Sequence, residues 1–513
     1  MLSMDIRMYI KSFGLSTKMA LSSILLCQLV SCLSFSIKQK IPISPLSDPN
    51  LWILARIPKS SLQDWKAFTQ KSNWEIQFEE SEQYYFRVKK SDWDTNWNQF
   101  PDLKIESKAK GFQFYADEYQ RQIKKNNFEM TDLYSGYKDN ILNARYLKEI
   151  QKRFPNYTKL EAIGESKEGL PIYALEITKQ NWNLGNKVSV LFSCGIHANE
   201  ANATDHCYDI IFHLLTNETF KKKYLEHLSI WVIPIANPGG AQAFWKENVL
   251  YGRKNSATEN PLGVDLNRNF PINWGASNSN FSSSKKDNPY YRGTSAASEL
   301  ETQALIRLAE RERFVASMSV HAFANTLLYP YTDVDLKPSL PNLAETFGKN
   351  IQGNIGSSNP EKPFLLKNRL YPVDGTDQDF YYFEYGTLAY IFETSHLNPE
   401  YKYVNQIVKN YRKLWIQMLD EVLYGKKILL RIKDESGASL EADVAVSSIS
   451  YFQNEKRRSK PSSGIFYQYL GNLGEDGVIV IRSKEGVEIT LPIQATTSWK
   501  IQEIQMKRNL SGL

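Results

Sequence analysis

Leu191-Phe-Ser-Cys-Gly-Ile-His-Ala-Asn-Glu200 is an apolar run that stops at a glycine and sets His197 and Glu200 three positions apart. The run from 188 to 192 has the length of a buried strand, and Gly195 marks the turn where it leaves its sheet. An imidazole and a carboxylate on such a turn can face one point. Both ligate Zn²⁺, and a catalytic zinc site needs a third protein ligand plus a position left open for water. His321, at the end of the strand-like run 315–320, is the third donor. A His-x-x-Glu pair alone arises by chance in many chains, so its surroundings decide its meaning.

Outward from that turn, strand-like runs at 160–163, 172–177, 188–192 and 230–235 alternate with helical stretches at 144–154 and 205–215. Such alternation predicts an α/β fold, a mixed and mostly parallel sheet with helices on both faces. Ligands in these sheets sit beyond the carboxyl ends of the strands. Glu393 follows another strand-like run, 387–392, so its carboxylate is expected at that same edge. Zinc lowers the pKa of water toward ~7, and a carboxylate within reach can take that proton and pass it to the leaving amine. Glu393 is therefore the general-base candidate.

Two further units flank this catalytic region, assigned to residues 134–425. Strands at 51–57, 74–79, 84–89 and 103–107 with helices at 61–70 and 92–100 spell βαββαβ, a small ferredoxin-like α+β domain over 51–107. Residues 108–133 are polar, without a sustained apolar period, and read as a linker with exposed Arg121, Lys124 and Lys125. After Gly425, short β-rich runs separated by Gly-containing turns predict a small β-sandwich over 426–508. The first 31 residues read as an address: Arg7, Lys11 and Lys18 precede an apolar run from 19 to 30 that is too short to span a bilayer. It ends in Leu29-Val-Ser-Cys32, which resembles a bacterial lipobox; this predicts export, a lipid on Cys32, membrane anchorage in the bacterial cell envelope and a tether over 32–50.

The chain resembles the zinc metallocarboxypeptidase family, carboxypeptidase A/B and carboxypeptidase E/N/D type, over roughly residues 137 to 420. The resemblance rests on five segments in order: Gly164-Glu-Ser-Lys-Glu-Gly-Leu-Pro-Ile172, Gly195 to Glu200, Gly263-Val-Asp-Leu-Asn-Arg-Asn-Phe-Pro271, Ser319-Val-His-Ala-Phe323 with Leu328-Tyr-Pro-Tyr331, and Tyr371 through Glu393. It implies one zinc per chain on His197, Glu200 and His321, and Asp265 orienting the first histidine. It also implies Asn267 and Arg268 on the substrate's free α-carboxylate, where a planar guanidinium can give two parallel hydrogen bonds. Tyr371 would close over that carboxylate, and Arg253, with Lys254 as a substitute, would polarise the scissile carbonyl.

The flanking units resemble the propeptide of the pancreatic-type enzymes and the transthyretin-like domain of the E/N/D group. Asn199 stands where the pancreatic type carries arginine. Thr332, Thr376 and Gln378 would line the pocket for the departing side chain, and nearby Asp333, Asp374 and Asp377 lean that pocket toward Lys or Arg.

The bulk composition agrees with an enzyme of this class. With 62 basic against 56 acidic residues and no long basic tract, nucleic acid is a poor partner; peptides with a free C-terminus are the expected one. Four cysteines are too few for a disulfide scaffold, and Cys194 and Cys207 are read equally as a bond or as two buried thiols. Two rival functions share these residues: a cell-wall stem-peptide peptidase on the same fold, and an inactive binding lipoprotein, which the presence of all three zinc ligands and Glu393 disfavours.

Overall fold

The computed structural model describes residues 52–61, 75–79, 82–89, 102, 104–105, 121–180, 187–247, 251–255, 263–276, 281–353, 355, 363–453 and 455–507. The export segment, Cys32 and the tether lie outside the described residues. No helix among the described residues is long and apolar enough to cross a membrane.

An eight-stranded sheet carries the centre of the molecule. Its strands are β5 (Thr158–Glu165), β6 (Pro171–Ile177), β7 (Val188–Cys194), β8 (Leu228–Ile233), β9 (Ala316–Ala322), β10 (Thr326–Leu328), β11 (Leu365–Lys367) and β12 (Leu388–Thr394), in the order β11-β10-β12-β9-β7-β8-β6-β5. The four central strands, β12-β9-β7-β8, run parallel, and β5, β6 and β10 are antiparallel to their inner neighbours. Every residue of β7, β8 and β9 is buried. That follows from helices on both faces, and the pleat divides the side chains between them.

Val190 and Phe192 point into a core shared with helices α1 (Asn140–Arg153), α2 (Ala201–Thr216) and α5 (Tyr401–Tyr424). Leu191 points the other way, into a core with Leu305 and Leu308 of α3 (Leu300–Glu312) and Phe380 of α4 (Asp377–Tyr385).

The N-terminal unit contributes β1 (Trp52–Pro58), β2 (Glu75–Glu79), β3 (Gln83–Lys89) and β4 (Lys104–Ile105), ordered β2-β3-β1-β4 with every pair antiparallel. Two strand–helix–strand units pair their strands in this order. The helices expected at 61–70 and 92–100 fall outside the described residues, apart from Ser61, which ends a 3-10 turn. Leu54 and Tyr85 of this sheet pack with Tyr137, Phe244 and Val404 of the catalytic body.

The expected linker differs from the structure at its C-terminal end. Phe128, Met130 and Leu133 are buried in the main core, Gln122 accepts a hydrogen bond from Tyr146, and Arg145 donates to the carbonyls of Gln122 and Ile123. Three apolar residues spaced without a helical period were enough to dock the segment, and a period search does not detect them.

The C-terminal unit is a pair of three-stranded sheets. One runs β15 (Ile465–Tyr469), β13 (Lys427–Lys433), β18 (Gln502–Gln505); the other runs β14 (Ala442–Val446), β16 (Val478–Ser483), β17 (Glu488–Pro492). It is joined to the catalytic body by Tyr331 donating to Glu455 at 2.6 Å, Lys460 paired with Glu312, and Arg313 paired with Glu441.

Candidate active site

Parallel strands deliver four side chains to one edge. In the register of β9 and β12, His321 lies directly opposite Glu393, each one residue short of its strand's end. Glu393 thus sits inside β12 rather than after it. The third parallel strand, β7, ends at Cys194, and Gly195 turns the chain toward His197 with φ of +66°. A Cβ there would lie 3.2 Å from the Pro234 carbonyl oxygen, so the turn suits glycine. Glu200 takes the N-cap position of α2. Cys194 and Cys207 are bonded, which ties the end of β7 to α2.

His197, Glu200 and His321 are all buried, with one donor atom from each within 4.8 Å of the others. The Nδ1 atoms of the two histidines are 3.2 Å apart, and Nδ1 of His197 lies 2.9 Å from Glu200 Oε1. Two nitrogens bound tetrahedrally to one zinc at ~2.0–2.1 Å would stand about 3.3 Å apart, so two imidazoles and a carboxylate at this spacing fit the metal. Burial works against a charge on Glu200, but the flanking His197 and His321 prevail and hold its carboxyl well below the usual range. The same pairing lifts His321 to about 9 against the opposing effect of burial. A buried anion held between two imidazoles is an environment that a divalent cation satisfies.

Around these ligands the orientation is built in. His197 Nε2 donates to Asp265 Oδ1 at 3.0 Å, which leaves Nδ1 for the metal. Asp265 is fully buried; although burial disfavours its charge, Arg253, Arg268 and His197 outweigh that and keep it ionised. Arg253 Nη2 lies 2.8 Å from Asp265 Oδ2, and its guanidinium stacks over Tyr290. Lys254 turns away and donates to the Lys286 carbonyl, so of the two expected candidates only Arg253 joins the site.

A cavity opens beside the ligands, lined by His197, His321, Glu393, Asn267, Arg268 and Tyr371 on one side. Arg268 donates from Nε to the Phe281 carbonyl and from Nη1 to the Asn267 carbonyl, which fixes its plane. Tyr371 stacks on Phe281 with ring centroids 3.9 Å apart. Burial raises the Glu393 carboxyl to about 7; Glu200 adds to that and His321 opposes it.

The far wall places the acidic residues expected near the pocket in other roles. It consists of Leu328, Leu370, Val373 and Ile391 with the hydroxyls of Thr332 and Thr376, and no aspartate lines it. Asp333 accepts from Asn273, Asp374 from the Gly275 amide, and Asp377 from the Gln378 amide. Asp379, which sequence reasoning missed, is bound to Thr332 through both its amide and its hydroxyl. Gln378 stands behind the wall, its Oε1 accepting from the Ile391 amide. Turn and cap demands absorbed the carboxylates, which proximity in sequence does not reveal.

A profile of the zinc carboxypeptidase family matches residues 144–415, more than half of the chain. The chain belongs to that zinc carboxypeptidase family. It is 26% identical to mast cell carboxypeptidase A of Rattus norvegicus over 263 residues, 48% of this chain and 61% of the relative. It is also 26% identical to carboxypeptidase B of Helicoverpa zea over 335 residues, 58% and 77% of the two chains. The chain thus spans about three fifths of the first relative's length and about three quarters of the second's.

Among solved structures, carboxypeptidase A from Helicoverpa armigera aligns with a TM-score of 0.57 at 20% identity, covering 72% of this chain and 97% of that one. Thrombin activatable fibrinolysis inhibitor aligns at 0.54 with 18% identity, covering 72% and 98%. At these identities the likeness speaks for the fold, and the family uses the zinc for which the three buried ligands are arranged.

Proposed function

We propose that this zinc carboxypeptidase family member hydrolyses the C-terminal peptide bond of peptides, with Glu393 as general base. One observation carries the reading: the strand register sets Glu393 beside a metal ligand, on the wall of a cavity that Arg268 also lines. Zinc on His197, Glu200 and His321 would activate water and polarise the scissile carbonyl. The chain's own groups do the rest. Arg268 and Asn267 hold the α-carboxylate, which selects the last residue of a peptide over an internal one. Glu393 takes a proton from the attacking water at its carboxylate and returns it to the departing amine. Arg253, locked by Asp265, stands ready for the carbonyl oxygen, and Tyr371 covers the bound end.

The apolar wall with two hydroxyls favours a medium-sized aliphatic or hydroxylated C-terminal residue. A peptide series differing only in the last residue, each as free acid and amide, with purified stem peptides included, tests this. Free acids ending in Leu, Val or Thr are expected to be cleaved fastest. Equal cleavage of amides, or full activity after chelation and dialysis, overturns the assignment. Export and lipid attachment at Cys32 belong to the same proposal, supported by the basic start, the short apolar run and the Leu29-Val-Ser-Cys32 sequence; mass spectrometry of the mature N-terminus checks them.

A further inference from the structure

The parallel strands carry the metal ligands at their carboxyl edge, and a second crevice opens at their amino edge. It lies where the catalytic body meets the C-terminal sandwich. Ser189 near the start of β7 and Phe314 and Val315 before β9 form one wall; Arg457, Arg458, Lys460 and Phe466 form the other. At ~3.3 Å per strand residue, Ser189 is roughly 17 Å along β7 from Cys194, so this crevice is separate from the metal site.

Its central group is Arg313. The residue is 7% exposed, and Nε and Nη1 are buried with no hydrogen-bond partner. Nη2 is 2.5 Å from Glu441 Oε1, and the face of the guanidinium lies over Tyr385 at 4.8 Å. Glu441 is shared with Lys484. The other carboxylate of the crevice, Glu312, is already taken by Lys460, Ser189 and Arg311. Arg457 is committed to Glu455 and to the carbonyls of Tyr382 and Lys456. Arg458 makes only looser ion pairs, at 3.3 Å to Asp443, 3.5 Å to Glu384 and 4.0 Å to Glu441.

A buried cationic donor without an acceptor is costly. Arg313 also occupies the C-cap of α3 with φ of 47°, a left-handed position that glycine fills without strain. An arginine kept there, with two buried donors unpaired at a crevice that a second arginine also lines, matches the way proteins hold compact anions. We infer that this interdomain crevice is a binding site for a tetrahedral oxyanion of the phosphate or sulfate class, held by Arg313 with Arg458. Bound there, the anion bridges α3 to the sandwich.

Calorimetric titration of the zinc-loaded protein with sulfate, at ionic strength held constant with chloride, tests the site. One saturable sulfate per chain is expected. Arg313→Met should weaken it at least tenfold and Arg458→Gln a few-fold, with kcat/KM on peptides unchanged in the sulfate-saturated wild type. A parallel titration with glycerol phosphate tells the source: tighter binding than sulfate assigns the crevice to a phosphate ester, and equal binding assigns it to the free ion. Should Arg313→Met fail to fold, selenate soaked into crystals of the unaltered protein replaces it, with an anomalous peak expected between Arg313 and Arg458. Absence of saturable binding by either anion, affinity unchanged in both variants, or a selenate peak only at other places overturns the inference.

Discussion

The two edges of the central sheet use the same kinds of residue for different ends. At the carboxyl edge, charged groups are packed against one another around an opening: Glu200 between two imidazoles, Asp265 between His197 and Arg253, Glu393 beside His321. At the amino edge, Lys460 with Glu312 and Arg313 with Glu441 cross from one folded unit to another. Parallel strands account for the division, because they place all their carboxyl ends together and leave the amino ends to be covered by a neighbouring domain. Changes at the first edge should alter chemistry with little change in stability, and changes at the second should do the reverse.

The largest effect should come from Glu393→Gln, with kcat reduced roughly 10³–10⁴-fold while zinc content by metal analysis is unchanged. Loss of zinc together with activity would show that Glu393 supports the metal instead, and would blur the contrast. Next, Arg268→Ala should lower kcat/KM for free-acid peptides by about 10²-fold and leave amidated peptides at their basal rate, which kinetics on matched pairs would measure.

A third effect concerns stability in the core behind the metal edge, away from both edges. Burial lowers His206 to about 4, with Asp209 opposing, and its ring packs against Phe392 and Tyr411. The unfolded chain takes up a proton near pH 6.5 that the folded chain refuses until about pH 4. Stability from this group is therefore full above pH 6.5 and is lost as pH falls toward 4, by about 3 kcal/mol. Urea unfolding of wild type and His206→Leu at pH 7 and pH 4.5 should show a smaller acid loss in the variant. The smallest effect should be Lys460→Met, costing about 1–2 kcal/mol in unfolding with kcat/KM unchanged. A changed kcat/KM would mean that the edges communicate.

Much of the carboxyl edge was legible in sequence because each participant closes a strand or opens a turn. His197 and Glu200 follow the apolar run of β7, and His321 and Glu393 lie one residue before the ends of β9 and β12. What was not legible depends on partners distant in sequence. Asp333, Asp374 and Asp377 lie near the pocket along the chain, yet each is engaged by a loop or cap amide and none lines the wall. The docking of 121–133 depends on Phe128, Met130 and Leu133 meeting α1 and α2, contacts that no local period announces. Strand β18 was missed as well, since Gln502, Glu503 and Gln505 hold a single buried Ile504 among them and are ordered by pairing with β13.

The bond between Cys194 and Cys207 encloses His197 and Glu200 within one covalent ring. Its formation depends on where the chain was made, because a reducing cytosol leaves the thiols free. Molecules produced inside and outside that compartment would be chemically distinct species of one sequence, differing by two hydrogen atoms. Intact-mass measurement without reductant would thus read the manufacturing history of any sample, and batches mixed in this respect would be mixed in the rigidity of the metal turn.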